Sequence, residues 1–125
     1  MAQILIIEDD VEFRNVLKEM LERQDCDVRV ASDGEEGIKM FRDNPTPLVI
    51  TDIIMPNIDG VELIFEFQQD FPDTRIIAIS GGGKDSASDY LNIASNIPNV
   101  NRAFKKPFAM DELLQTVKEI LDKQS

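Results

Sequence analysis

The chain has 125 residues, of which 42% are hydrophobic and 30% charged, a balance typical of one ordinary globular domain. Its net charge of −11 argues against nucleic-acid binding, because that function needs a basic surface to meet the phosphates. There is no histidine, which excludes histidine-based triads, phosphohistidine and most zinc sites, and the single cysteine, Cys26, excludes an internal disulfide. We therefore expect any chemistry to use carboxylates, hydroxyls and lysines.

The N-terminal segment has neither a targeting nor a membrane-spanning pattern. It reads MAQILIIEDD, without the basic start and long apolar run of a signal peptide. No apolar stretch in the sequence approaches the roughly 20 residues of a transmembrane helix. Together with the single cysteine, which suits a reducing compartment, these features predict a cytoplasmic protein with no membrane contact.

Short apolar runs alternate with longer amphipathic segments along the chain. In chain order, the predicted elements are a strand at 3–7, a helix at 10–24, a strand at 27–31, a helix at 34–43, a strand at 48–51, a helix at 60–71, a strand at 75–80, a helix at 86–97, a strand at 101–105 and a helix at 109–123. Because five strand–helix units follow one another, we expect an α/β fold with a parallel sheet and right-handed crossovers.

The polarity of the strands refines this arrangement. The runs at 3–7, 48–51 and 75–80 are almost continuously apolar, as in parallel strands that are covered on both faces. The run at 27–31 alternates in polarity, and we therefore expect it nearer an edge. No linker, repeat or low-complexity segment interrupts the pattern, so residues 1–125 are expected to form a single domain.

The residues that can carry chemistry follow the predicted strands, at the end where sheets of this kind bind ligands. They are Glu8, Asp9 and Asp10 after the first strand, Asp52 after the third, Ser80 at the end of the fourth, and Lys105 and Lys106 after the fifth. Carboxylates gathered from two strand ends repel one another unless a hard cation lies between them, and Mg²⁺ prefers such oxygen ligands. With a lysine and a hydroxyl nearby, Asp52 is interpreted as a nucleophile that forms an aspartyl phosphate.

Each of these residues also has a purely structural interpretation. The acidic run can cap a helix start, where carboxylates are favoured, Asp52 can be a turn residue, and a lone serine such as Ser80 is more often structural than functional. The run SGGGKDS does not form a phosphate-binding P-loop, because Ala78 and Asp85 stand where that motif needs glycine and a hydroxyl residue. The functional interpretation depends on all four strand ends contributing to one site.

The motifs ILIIEDD, VITDIIMPNIDGVEL, IIAIS and FKKPF occur in an order and at a spacing that are typical of a known family. Over essentially all of its length, the chain resembles the CheY-like receiver domains of two-component response regulators. The resemblance implies a flavodoxin-like, doubly wound parallel sheet of five strands in the order 2-1-3-4-5, flanked by five helices. It also implies a single receiver domain over residues 1–125, with no output domain in this chain.

The resemblance implies a role for each residue at the strand ends. Asp52 is expected to accept a phosphoryl group, Ser80 to supply the family's hydroxyl, and Lys106, rather than Lys105, to pair with the phosphate. Asp9 is favoured over Glu8 as a direct metal ligand. The full set of ligands implied for Mg²⁺ or Mn²⁺ is Glu8, Asp9, Asp52 and the backbone carbonyl of Ile54.

The resemblance also implies partners. The phosphoryl group is expected to come from a histidine kinase or a histidine phosphotransfer protein, and the phosphorylated chain, a monomer, is expected to signal to a protein partner by a surface change. The expected catalysis is limited to the chain's own Mg²⁺-dependent phosphorylation and dephosphorylation. Two alternatives stay open: a pseudo-receiver that binds partners without phosphorylation, and an aspartate-nucleophile phosphohydrolase, which is disfavoured because Ile54 stands where a second acid is needed.

Two further expectations concern the fifth strand. On the resemblance, the Lys106–Pro107 peptide is expected to be cis. Ala103 stands where the family usually has an aromatic residue, and Phe104 is expected to point to the opposite face because strand side chains alternate. The signal is therefore expected to leave through Ser80 and the segment 81–90.

Overall fold

The structure is a computed structural model, and it describes residues 2–53, 60–80 and 96–123. Its strands are β1 (Ala2–Ile7), β2 (Cys26–Ala31), β3 (Leu48–Asp52), β4 (Arg75–Ser80) and β5 (Val100–Lys105). Its described helices are α1 (Val11–Glu22), α2 (Gly34–Asp43), α3 (Gly60–Asp70) and α4 (Met110–Asp122). The five predicted strands and these four helices are confirmed. The helix predicted at 86–97 lies outside the described residues, apart from its last two positions, which belong to the turn before β5.

The five strands form one parallel sheet in the order β2-β1-β3-β4-β5. This is the order that the family resemblance implied, and it confirms the edge position predicted for β2. β1 and β3 are neighbours at the centre, and β4 and β5 follow on one side. Because the strands are parallel, the residues that follow β1, β3, β4 and β5 all lie at the carboxyl end of the sheet. None of the helices in the described ranges combines the length and the hydropathy that a membrane span needs.

The core lies on both faces of the sheet, which explains the continuously apolar central strands. On one face, Ile4 and Ile6 of β1 pack in a cluster with residues of α1 and α4, such as Leu17 and Leu113. On the other face, Leu5 and Ile7 pack in a cluster that contains residues of α2 and α3. A strand buried on both faces gains from an apolar residue at every position, so its pattern does not alternate.

Two helices begin with aspartate caps that follow the loops after β1 and β2. The side chain of Asp10 accepts a hydrogen bond of 3.2 Å from the backbone N–H of Phe13, and that of Asp33 accepts one of 2.8 Å from Glu36. Such caps satisfy backbone donors that have no partner within the helix. The structural interpretation of the acidic run, a helix cap, therefore holds for Asp10. The side chains of Glu8 and Asp9 belong instead to an acidic cluster at the ends of the strands.

We expect Asp10→Ala to lower the free energy of unfolding by about 1 kcal/mol, because it removes the cap of α1. Asp10→Asn keeps an oxygen acceptor and should retain most of that stability. Chemical denaturation of the parent and both variants measures the effect, and divalent-cation affinity should be similar in all three. Equal destabilisation by both substitutions would show that charge, rather than the capping hydrogen bond, is what Asp10 contributes.

Candidate functional site

The carboxyl ends of β1 and β3 bring three acidic side chains together. Ile7 is paired with Thr51 in the β1–β3 register, so the residues that follow them, Glu8 and Asp52, are adjacent. Glu8, Asp9 and Asp52 each offer a carboxylate oxygen, and these oxygens all lie within 4.8 Å of one another. Glu8 and Asp52 are buried, at 2% and 6% exposure, whereas Asp9 is exposed.

This cluster fits a divalent cation such as Mg²⁺. Hard cations take oxygen ligands, and Mg²⁺ keeps several waters when it binds one or two carboxylates. Buried oxygens from two strands would supply the fixed part of the coordination shell, and the exposed side near Asp9 leaves room for waters. The predicted fourth ligand, the carbonyl of Ile54, lies outside the described residues. The backbone just before it is fixed, because the N–H of Ile53 donates to the carbonyl of Ile79 at 2.9 Å.

Lys106 is the lysine that enters the acidic cluster. Its Nζ lies 3.1 Å from Oε1 of Glu8 and 3.6 Å from Oδ2 of Asp52. The side chain of Lys106 is 23% exposed, so this pair of contacts is shielded more than a surface ion pair. Lys105 is exposed on β5. The peptide between Lys106 and Pro107 is cis, which confirms that prediction.

The charge of Glu8 depends on this environment. Burial raises the pKa of Glu8 to about 8, with a further rise from the negative charge and hydrogen bonding of Asp52, while Lys106 opposes the shift. Glu8 also accepts a hydrogen bond of 3.3 Å from the backbone N–H of Asp10. The raised pKa favours the protonated form of Glu8 in the metal-free site, so a cation that binds Glu8 competes with a proton.

Ser80 lies buried at the end of β4, at 0% exposure. Its backbone carbonyl accepts a hydrogen bond of 2.8 Å from the N–H of Lys106. This bond holds the start of the segment 106–108, which follows β5, against the end of β4. On β5, Ala103 packs against the cluster on the α2 and α3 face, whereas Phe104 belongs to the cluster on the α1 and α4 face. The predicted opposition of these two side chains is confirmed.

Two residues of α1 at this site were not singled out from the sequence. Phe13, in the first turn of α1, has its ring centroid 4.1 Å from Nζ of Lys106. Arg14 donates from Nη1 to the backbone carbonyl of Glu8 at 3.1 Å. A signal existed for Arg14, because a cation near a helix start is disfavoured by the helix dipole and needs a local acceptor. No sequence pattern distinguishes Phe13 from an ordinary core residue.

Comparison with known proteins identifies the family. The family model described as the response regulator receiver domain matches residues 4–118, and the chain therefore belongs to that family, the receiver domains of two-component signalling. It is 31% identical over 121 residues to the response regulator receiver protein CpdR of Brucella abortus, covering 97% of this chain and 98% of that protein. It is also 31% identical over 127 residues to the sensor kinase CckA of the same organism, but it spans only 13% of that protein's length.

Solved structures agree on the fold. A CheY-like receiver domain protein from Methanospirillum hungatei matches with a TM-score of 0.85 and 27% identity, over 99% of this chain and 96% of that one. The response regulator TrrA of Thermotoga maritima, solved in complex with Mg²⁺ and BeF, matches with a TM-score of 0.82 and 32% identity, over 96% and 99% of the two chains. The acidic cluster of this chain thus lies on a fold whose family accepts phosphoryl groups on aspartate.

The raised pKa of Glu8 predicts a pH dependence of stability. Since the folded-state pKa of about 8 exceeds the ordinary value of 4.5, the folded chain holds a proton that the unfolded chain has released between these pH values. With divalent cations chelated, the contribution of Glu8 to the free energy of unfolding should be complete below pH 4.5 and be lost as the pH rises through about 8. Glu8→Gln, which cannot ionise, should lack this loss. Denaturant unfolding across the pH range measures it, and parallel pH curves for the two proteins would contradict the raised pKa.

Proposed function

We propose that this chain is a phosphorylation switch in which Asp52 accepts a phosphoryl group from a histidine kinase or a histidine phosphotransfer protein, in a reaction that requires Mg²⁺ or Mn²⁺. The observation that carries the proposal is the position of the Lys106 ammonium between the carboxylates of Glu8 and Asp52, at 3.1 and 3.6 Å. A cation at this distance can pair with a phosphoryl oxygen on Asp52 without leaving the site.

The proposed transfer needs few groups. An oxygen of Asp52 attacks the phosphorus of the donor, the phosphorus–nitrogen bond breaks, and its electron pair stays on the donor's imidazole. Glu8, Asp9, Asp52 and the carbonyl of Ile54 are the proposed ligands of the divalent cation, which supplies neutralisation of the phosphoryl charge when bound. Lys106 then pairs with one phosphoryl oxygen, and the hydroxyl of Ser80 donates to another.

The proposed partners follow from this chemistry. The proposed donor is a protein that carries a phosphohistidine, as membership of the receiver family implies. The proposed downstream partner is a protein, because the net charge of −11 disfavours binding of nucleic acid. We further propose that the chain is monomeric and acts in the cytoplasm, where reduced Cys26 is stable.

The alternatives predict different results in one experiment. Incubation with a small phosphodonor and Mg²⁺, followed by intact mass spectrometry, should show the gain of one phosphoryl group on the parent and none on Asp52→Asn, which keeps the shape and removes the nucleophile. The gain should vanish in excess chelator. A parent that is never labelled would indicate a pseudo-receiver, and labelling of Asp52→Asn would contradict the assignment of the acceptor.

The route of the signal can be tested separately. Ala103 has no aromatic ring that could change its orientation on phosphorylation. We therefore expect the hydroxyl of Ser80 to move toward the phosphoryl group on Asp52, and the segment 81–90 to move with it. Beryllofluoride with Mg²⁺ should shift backbone amide resonances across 80–92 and 102–108, and Ala103→Tyr should leave phosphorylation intact while changing partner binding. Shifts confined to the neighbourhood of Asp52 would contradict this route.

A further inference from the structure

The ammonium of Lys106 has a third neighbour besides the two carboxylates. The centroid of the Phe13 ring lies 4.1 Å from Nζ, close enough for a cation–π contact. Phe13 comes three residues after the capping residue Asp10, in the first turn of α1. The cap therefore fixes the part of the helix that carries the ring.

The orientation of the Phe13 ring is set by a second aromatic residue. Phe108 contacts Phe13 edge to face, with centroids 6.1 Å apart and ring planes at 87°. Phe108 in turn packs against Phe104 of β5, at 5.1 Å between centroids. The segment 106–108 thus supplies both the ammonium, on Lys106, and the ring that holds Phe13 in place, on Phe108. Such edge-to-face contacts have a preferred geometry, so they limit rotation of the ring.

An aromatic neighbour differs from the carboxylates in what happens when a metal binds. A divalent cation bound to Glu8 and Asp52 would attract the carboxylate oxygens that contact Lys106 in this structure. The positive charge of the cation would also repel the ammonium. The face of an uncharged ring attracts the ammonium through its quadrupole and does not compete for the metal. Among the described neighbours of Lys106, Phe13 is the one whose attraction persists in the metal-loaded site.

We propose that Phe13 is a positioning residue that holds the Lys106 ammonium within reach of a phosphoryl group on Asp52. This role rests on the proposed function, since it acts through the pairing of Lys106 with that group. Phe13 itself touches neither the metal ligands' oxygens nor the phosphoryl group in this scheme. Its contribution is to keep the lysine from turning into solvent before and after the transfer.

The test weakens the ring's negative face without changing its shape. Phenylalanine at position 13 is replaced by analogues with one, two, three and five ring fluorines, and the affinity for beryllofluoride is measured at saturating Mg²⁺. We expect affinity to fall steadily with fluorination, by about two- to fivefold over the series. The matched control is the same series at Phe65, which is 52% exposed on α3 in the opposite layer and should show no trend.

A spectroscopic signature reports the contact itself. Protons above an aromatic face are shielded by the ring current, so the ε-methylene resonances of Lys106 should lie upfield in the parent. Phe13→Leu, which keeps an apolar side chain but removes the ring, should return them to ordinary values. Phe65→Leu should leave them unchanged.

The outcomes separate this role from the proposed function. A parent that binds beryllofluoride with Mg²⁺, combined with a flat fluorination series, would overturn the positioning role alone. Unshifted Lys106 resonances in the parent would overturn it as well, because they would mean that the ring does not face the ammonium. A parent that binds no beryllofluoride at all would overturn the proposed function, and the positioning role with it.

Discussion

The ammonium of Lys106 between two buried carboxylates is the interaction on which the rest of the site depends. Burying Glu8 and Asp52 beside each other is costly, because each charge loses its hydration and repels the other. Lys106 offsets part of that cost from 3.1 and 3.6 Å, and the raised pKa of Glu8 shows that the offset is incomplete. The site is thus left with a surplus of negative charge that a divalent cation can balance.

The fold supplies this arrangement by placing four strand ends at one edge. β1, β3 and β4 are nearly uniform in buried apolar residues, and that rigid centre is what holds acidic groups at fixed separations. Asp10, Phe13 and Arg14 extend the same edge into α1, through a cap, a ring contact and a hydrogen bond to the carbonyl of Glu8. Helix α1 therefore supports the site together with the sheet.

The strands could be predicted from the sequence because the patterns that define them are local. Apolar runs, helical periodicity and turn residues placed both ends of every strand to within one residue. The order of the strands followed from the family's motifs. The sequence also predicted that Glu8, Asp9, Asp52 and Lys106 would meet. The acidic run itself left open which of its residues caps the helix, and the family resemblance alone separated Glu8 and Asp9 from Asp10. The structure gives the physical reason, because the loop geometry makes Asp10 a cap while Asp9 joins the cluster. The sequence could not predict the contact of Phe13 with Lys106, because residues 93 positions apart in sequence meet there only after the sheet has formed.

Counting the protons released on Mg²⁺ binding shows whether Glu8, in a site whose negative charge Lys106 offsets only in part, holds a proton that the metal must displace. Titration calorimetry at pH 7 in buffers of different ionisation enthalpy gives this number. We expect the parent to release about one proton, since a ligand must be deprotonated to bind metal, and Glu8→Gln to release almost none. Mg²⁺ binding by the parent with no proton release at this pH would contradict this expectation.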